Sequence, residues 1–296
     1  MPFIMSKPTT TALPSISSRH WRVRVAAAPD VWFDIAELEL ASSIGGANIC
    51  TGGPVITNVG LFTNASNMID GNSATYGEYH SFTSLQNSGP TIDLLTSQVV
   101  KEVRIRVGNT FTTRGPYAVF VDTYDGSSVY TPRFYGINTT AYTANGLKTF
   151  TLRTVPTTRA TALLWGVNVT NNNGGWLNID ELEFRATSGG ATLCTGGAQL
   201  ADKCTSASWL PSFAFNASTA TSWQAGAGAT TGKLWYCFNT APNPSYAAMK
   251  GWTSGASTDM PKDFTFFYSL DGITETTVYT KTGETWTNGQ VREYAL

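Results

Sequence analysis

Ile35-Ala-Glu-Leu-Glu-Leu40 returns 144 residues further on as Ile179-Asp-Glu-Leu-Glu-Phe184, and this pair of hexapeptides decides the fold. In the first copy Glu37 and Glu39 project to one side while Leu38 and Leu40 project to the other, the period-two pattern of a half-buried strand. The same offset joins Trp21 to Trp165, Trp32 to Trp176, Gly45-Gly46 to Gly189-Gly190, and Cys50-Thr-Gly-Gly53 to Cys194-Thr-Gly-Gly197. Further along, the offset becomes 146. There Asp70-Gly-Asn-Ser-Ala-Thr-Tyr76 meets Asn216 to Trp223 with Thr75 set on Thr221, and Tyr117 to Gly126 meets Asp263 to Gly272. A drift of two residues over such a length is one small loop insertion, so the chain is an internal duplication.

Each copy reads as strands. Trp21-Arg-Val-Arg-Val-Ala26 alternates, as does Val99 to Val107, and Tyr117 to Tyr124 runs into Asp125-Gly126, a hairpin turn signal matched by Asp271-Gly272. About eight short strands per copy, separated by polar loops, predict an all-β protein of two tandem jelly-roll β-sandwich domains. The boundaries read as an N-terminal arm at 1–18, a first sandwich at 19–153, a linker at 154–159 around Val155-Pro156, and a second sandwich at 160–296. One alternative exchanges strands, with 160–184 completing the first copy and 21–40 the second. The matching ends Leu152 and Leu296 favour the simple division.

Composition agrees and narrows the function. Of 296 residues, 42% are hydrophobic and 12% aromatic, enough for two cores, whereas 13% are charged against about 25% in a typical globular chain. A net charge of −1 lacks the basic footprint of a nucleic-acid binder. No apolar run reaches the 18 or so residues that span a bilayer, so no membrane insertion is expected. Met1 to Ser18 lacks the basic and apolar regions of a secretory signal. The four cysteines are too few for a disulfide framework and are expected as free, mostly buried thiols. Two histidines, His20 and His80, in distant segments make no zinc motif, and no acid sits in a recognisable catalytic setting. A non-enzymatic binding protein is the expectation.

Three motifs then carry a resemblance: the aromatic strand followed by Ile-x-Glu-Leu-Glu, the Asp70-Gly-Asn-x-x-Thr-Tyr76 segment, and the strand ending in Asp-Gly. Together they resemble discoidin-like domains (coagulation factor type C, or galactose-binding-like). The order differs, because in most of that family the Glu-Leu-Glu strand closes the domain and here it opens each copy. That arrangement resembles the permuted version of phage tail and other virion proteins, and the likeness covers about residues 19–296.

What the resemblance implies is a lectin-like scaffold whose end loops bind sugar, lipid or protein, often above a structural calcium ion. Asp70, Thr75 and Glu39 match the metal-ligating positions, and calcium takes six to eight such oxygens. The plain alternative makes Asp70-Gly71-Asn72 a turn and nothing more. In the second copy Asn216 and Ala217 remove both the charge and the turn-forming glycine, so no metal is expected there. Sugar sites combine aromatic faces with polar groups. The ligand-binding candidates are Tyr76, Tyr79 and His80 in the first copy, and Trp209, Trp223 and Trp252 in the second. Trp21, Trp165, Trp32 and Trp176 recur at fixed offset, which suits shared core packing better than a shared ligand.

The expected role is therefore a phage virion protein of the tail or capsid surface, made in the host cytoplasm, oligomeric within the particle, and adhering to glycans. The Ser/Thr/Pro-rich arm 1–18, with Pro2, Phe3, Ile4 and Met5 as apolar anchors, would dock on other virion proteins. The alternatives are a purely structural decoration or baseplate protein, and an accessory module of a carbohydrate-active enzyme.

Overall fold

The computed structural model describes residues 13–27, 33–57, 62–79, 89–108, 114–126, 129–206, 208–218 and 220–296, without the side chains of 26, 27, 33, 57 and 79. Among them the chain is all-β. Its longest helical segments are two 3-10 helices of five residues, Ala65–Ile69 and Pro211–Phe215.

In the first half the strands are β1 (Ser17–Ala27), β2 (Phe33–Ile35), β3 (Glu37–Ala41), β4 (Val55–Thr57), β5 (Phe62–Thr63) and β6 (Gly77–Tyr79). They continue with β7 (Thr91–Val99), β8 (Glu102–Arg106), β9 (Ala118–Tyr124), β10 (Tyr130–Ile137), β11 (Leu147–Thr151) and β12 (Arg153–Thr154). A six-stranded antiparallel sheet in the order β12-β10-β9-β1-β7-β4 is joined through a common core to a three-stranded sheet β11-β8-β3. The alternation in β1 explains the arrangement: Trp21, Val23 and Val25 enter the core with Leu38, Leu40, Val103, Ile105 and Phe150 of the small sheet.

The second half repeats the plan with β13 (Leu164–Asn172), β14 (Asn178–Ile179), β15 (Glu181–Arg185), β16 (Ala198–Ala201) and β17 (Trp223–Gln224). After them come β18 (Gly232–Cys237), β19 (Tyr246–Lys250), β20 (Pro261–Ser269), β21 (Glu275–Lys281) and β22 (Val291–Ala295). Sheets β16-β18-β13-β20-β21 and β15-β19-β22 share the second core. The Trp21 strand pairs with β7 and β9, both in its own half. The indoles of Trp21 and Trp165 each donate to a carbonyl three residues back, Ser18 at 2.9 Å and Ala162 at 3.1 Å.

Strand registers refine the alignment of the two copies. Trp21 stands opposite Thr123 and Trp165 opposite Tyr268, so along this strand pair the offset is 145; the extra residue of the second copy falls at the Asp-Gly turn. Ile35 faces Gly77 as Ile179 faces Trp223, which sets Trp223 on Gly77 and not on Tyr76.

The outer faces of the two large sheets meet. Leu164, Leu200, Trp235, Cys237 and Phe267 of the second half belong to the same buried cluster as Phe120 and Tyr135 of the first. Gly166 sits in this seam, where a Cβ would meet the Cβ of Trp235 at 2.6 Å and the Phe267 ring at 2.8 Å. Arg22 and Arg24, on the outward face of β1, both pair with Asp122 at 2.6 Å, and Asp122 is fully buried. Tyr135 Oη donates to the Phe238 carbonyl at 2.8 Å, and Arg153 to that of Asn239 at 2.7 Å. The linker is tied down as well: Val155 N–H donates to Arg133, and Thr158 and Thr161 form a capping box.

At the other end, β1 begins at Ser17, inside the segment read as an arm. Leu13 and Ile16 pack on the first core, and Lys101 Nζ donates to the carbonyls of Leu13 and Pro14. Only residues 1–12 are left for an arm, and these, with the anchors Pro2 to Met5, lie outside the described residues. Cys50, Cys194, Cys204 and Cys237 are free thiols, all but Cys204 buried.

Candidate functional site

Loops of the second sandwich bring three tryptophans to one cleft. Trp176 follows β13, Trp209 precedes the 3-10 turn at Pro211, and Trp252 follows β19; Thr205, Gln224 and Asp259 complete an open cleft of about 370 Å³. The Trp209 and Trp252 rings meet edge to face, with centroids 6.2 Å apart and planes at 89°, which makes a corner and not a flat platform. Trp176 is 40% exposed, an unusual state for so large an apolar ring.

Each wall has an identifiable support. Asn172 Nδ2 donates to the Trp176 carbonyl at 2.6 Å, and the Asp259 carboxylate accepts the Trp176 N–H. The Trp252 ring lies over Gly255, whose Cβ, if it had one, would fall inside the ring. The Gly255 carbonyl is in turn held by Asn288 Nδ2 at 2.7 Å. Cys204 Sγ donates to the Trp209 carbonyl at 3.1 Å. The floor amide, Gln224, is closed off: its Oε1 accepts from Thr205 Oγ1 and its Nε2 donates to Asn178 Oδ1, both at 3.0 Å. Asp259 forms no ion pair among the described residues, and burial pushes its carboxyl above the ordinary aspartate value.

Of the sequence candidates, Trp209 and Trp252 are brought together here. Trp223 is not a ligand group: it is fully buried in the second core, with Nε1 donating to the Lys203 carbonyl at 2.9 Å. Trp176, read as a core residue, is instead a cleft wall; the shared offset with Trp32 misled, because a duplicated position need not keep its environment. Trp32, His80 and the Tyr79 side chain lie outside the described residues. Tyr76 is half-buried in the first sandwich, its carbonyl accepting from Asn67.

The first sandwich presents carboxylates in place of rings. By register, Trp252 corresponds to Gly108, Trp209 to Thr63, and Asp259 to Arg114, which pairs with Asp34 at 3.0 Å. Three further pairs differ by an amide for an acid: Asp34 and Asn178, Glu78 and Gln224, Asp70 and Asn216. At these positions the two copies therefore differ in charge as well as in aromatic content.

Of the three residues the resemblance assigns to a metal, Asp70 and Thr75 meet, while Glu39 lines a pocket with Gly71 and Ser73 of the same turn. Asp70 accepts from Asn72 N–H at 2.8 Å and from Thr75 Oγ1 at 2.7 Å, closing its own turn, and Glu39 is engaged by Arg104 at 3.2 Å. The glutamate that faces Asp70 is Glu37. It is 7% exposed with Oε1 unpartnered, it lines an open cavity with Asp70, Asn48 and Cys50, and burial followed by the charges of Asp70 and Glu39 pushes it up to about 7. Glu181 occupies the same position in the second sandwich and is also pushed up to about 7 by burial. The nearby N–H groups of Ala217 and Ser218 hold that rise back, yet its Oε1 is also unpartnered, and the Ser218 N–H donates to Asn216 Oδ1 at 2.9 Å. No group of three or more His, Cys, Asp or Glu suited to a metal occurs among the described residues.

No family model, curated protein or solved structure matches the chain, so the site rests on its own geometry.

Proposed function

We propose that this chain is a non-enzymatic binding protein that seats a saccharide against Trp176, Trp209 and Trp252. The observation that carries the reading is the exposure of Trp176 beside a perpendicular Trp209–Trp252 corner, with a buried carboxylate, Asp259, at its edge. Sugar rings offer apolar faces bordered by hydroxyls, and indole walls with one acceptor suit them. Glycan-array binding of the full chain, followed by titration calorimetry of Trp176→Ala and Trp252→Ala, tests it. Binding should fall at least ten-fold in each variant with melting temperature kept. Array binding that survives both substitutions would place the ligand elsewhere.

The setting we propose is a phage particle, tail or capsid surface, with the sandwiches read as galactose-binding-like jelly rolls facing outward. That reading rests on the duplicated, permuted motif order. Calcium in the first sandwich belongs to the same proposal, with Glu37 taking the place of Glu39 beside Asp70. Bound there, the ion would supply positive charge between the two carboxylates, pinning the 70–75 turn to β3.

A further inference from the structure

The tryptophan cleft has a chemistry narrower than a general sugar platform. Its walls meet at a right angle and enclose a corner, and among the described residues the one charged side chain lining it is Asp259. Gln224, the amide that could have read hydroxyls, is 5% exposed and turned to Thr205 and Asn178 at its two ends. What is left open to a ligand is aromatic faces, indole N–H groups and one carboxylate without a counter-ion. Indole faces carry negative quadrupole potential and attract cations within about 6 Å, best when the cation sheds water easily. A carboxylate 9% exposed that has the Trp176 N–H but no cation among the described residues adds charge complementarity, since a buried charge without a counter-charge is costly. Both features point to a large, weakly hydrated cation.

We infer that the Trp176–Trp209–Trp252 corner with Asp259 receives a quaternary ammonium group, of the trimethylammonium type, borne by the saccharide. This rests on the proposed reading of the cleft as the ligand site and names the part of the ligand that enters it. The corner is private to the second sandwich: Gly108 and Thr63 stand where Trp252 and Trp209 would be, and Arg114 reverses the charge of Asp259. One such site per chain follows.

The test is calorimetric titration of the full chain with choline, with its neutral carbon isostere 3,3-dimethylbutan-1-ol, and with neutral methyl glycosides. Choline should bind with a stoichiometry of one and at least ten-fold more tightly than the isostere. Asp259→Asn should weaken choline about ten-fold and leave the isostere unchanged, whereas Trp252→Ala should remove both. Trp176→Ala, at an exposed ring, guards against a folding artefact in Trp252→Ala. Equal binding of choline and isostere, or an unchanged choline affinity in Asp259→Asn, would overturn the inference. If neutral glycosides bind and choline does not, the inference falls and the saccharide reading stands. If choline binds and no saccharide does, the saccharide reading falls and the inference is overturned as to its carrier, the ammonium site alone standing; if nothing binds both fall.

Discussion

Arg24 of the first sandwich donates from Nη2 to the carbonyl of Asp271 in the second at 2.8 Å, while the same guanidinium clasps Asp122 through two bonds of 2.6 and 2.8 Å. A fully buried aspartate thus sits between two arginines at the seam, with Arg22 also stacked on the Tyr130 ring at 3.5 Å. Removing one partner from such a cluster leaves uncompensated buried charge, at a cost of about 3–5 kcal/mol. Asp122→Ala should therefore lower the melting temperature sharply. Because the seam is shared, both sandwiches should be destabilised together, read by calorimetry as a transition that shifts as a whole. A loss confined to the first sandwich would mean that the seam contributes little.

Glu37 and Glu181 give a pH dependence with a defined sign. Each is raised from an ordinary 4.5 to about 7, so in this interval the folded state holds protons that the unfolded state has released. Stability falls as pH rises from about 4.5 to about 7 and is level above that, with up to about 3 kcal/mol per group at stake. Glu37→Gln and Glu181→Gln should thus raise the melting temperature at pH 8 and change it little at pH 4.5. Melts across this range check it, and equal effects at both pH values would remove the burial argument.

Ala217 holds the left-handed conformation, φ 57°, at the position where the first copy has Gly71 at φ 75°. Alanine lacks the turn freedom of glycine, yet Ala217 adopts the same left-handed region. Asn216 closes the turn, accepting the Ser218 N–H at 2.9 Å and donating to Thr221 Oγ1 at 2.9 Å, against the strain of a Cβ in this region, about 1–2 kcal/mol. Ala217→Gly should stabilise the protein by about 1 kcal/mol, measured by urea unfolding; a loss of stability would show that the turn is not strained.

The calcium proposal separates from a plain turn by linkage. Addition of millimolar calcium should raise the melting temperature of wild type, a chelator should reverse it, and neither should act on Asp70→Ala or Glu37→Gln. An equal chelator effect on wild type and both variants would refute an ion at this pair.

The particle proposal turns on residues 1–12, since Leu13 to Ile16 are already held by the first sandwich. Deleting 1–12 should leave both sandwiches folded, by circular dichroism, and abolish incorporation into particles. Normal incorporation of the truncated chain would remove the arm as anchor.

Much of the fold was legible because duplication prints the same strand twice. The alternation of Glu37 to Leu40 and of Trp21 to Val25 is a direct readout of which side chains face a core. The site was harder. Trp223 and Trp252 look alike in sequence, and only the strand register, which puts Trp223 opposite Ile179, shows that one is interior. Glu39 and Glu37 share a face of β3, and which of them meets Asp70 depends on how the 65–75 segment folds back on the strand. Trp176 was misplaced since periodicity reports the copy and not its surroundings. The seam left no local signal beyond Arg22 and Arg24, two charges on a strand whose outer face would otherwise have been read as solvated.

That seam also governs recognition at a distance. Two modules on a flexible tether explore many separations, and a second attachment then gains an effective concentration set by tether length. Here the tether at 154–159 is bonded at both ends and the large sheets are fused back to back, so the loop ends are held like the jaws of a fixed gauge. A multivalent surface would be read by the spacing of its epitopes, with tolerance set by sheet packing and not by polymer statistics.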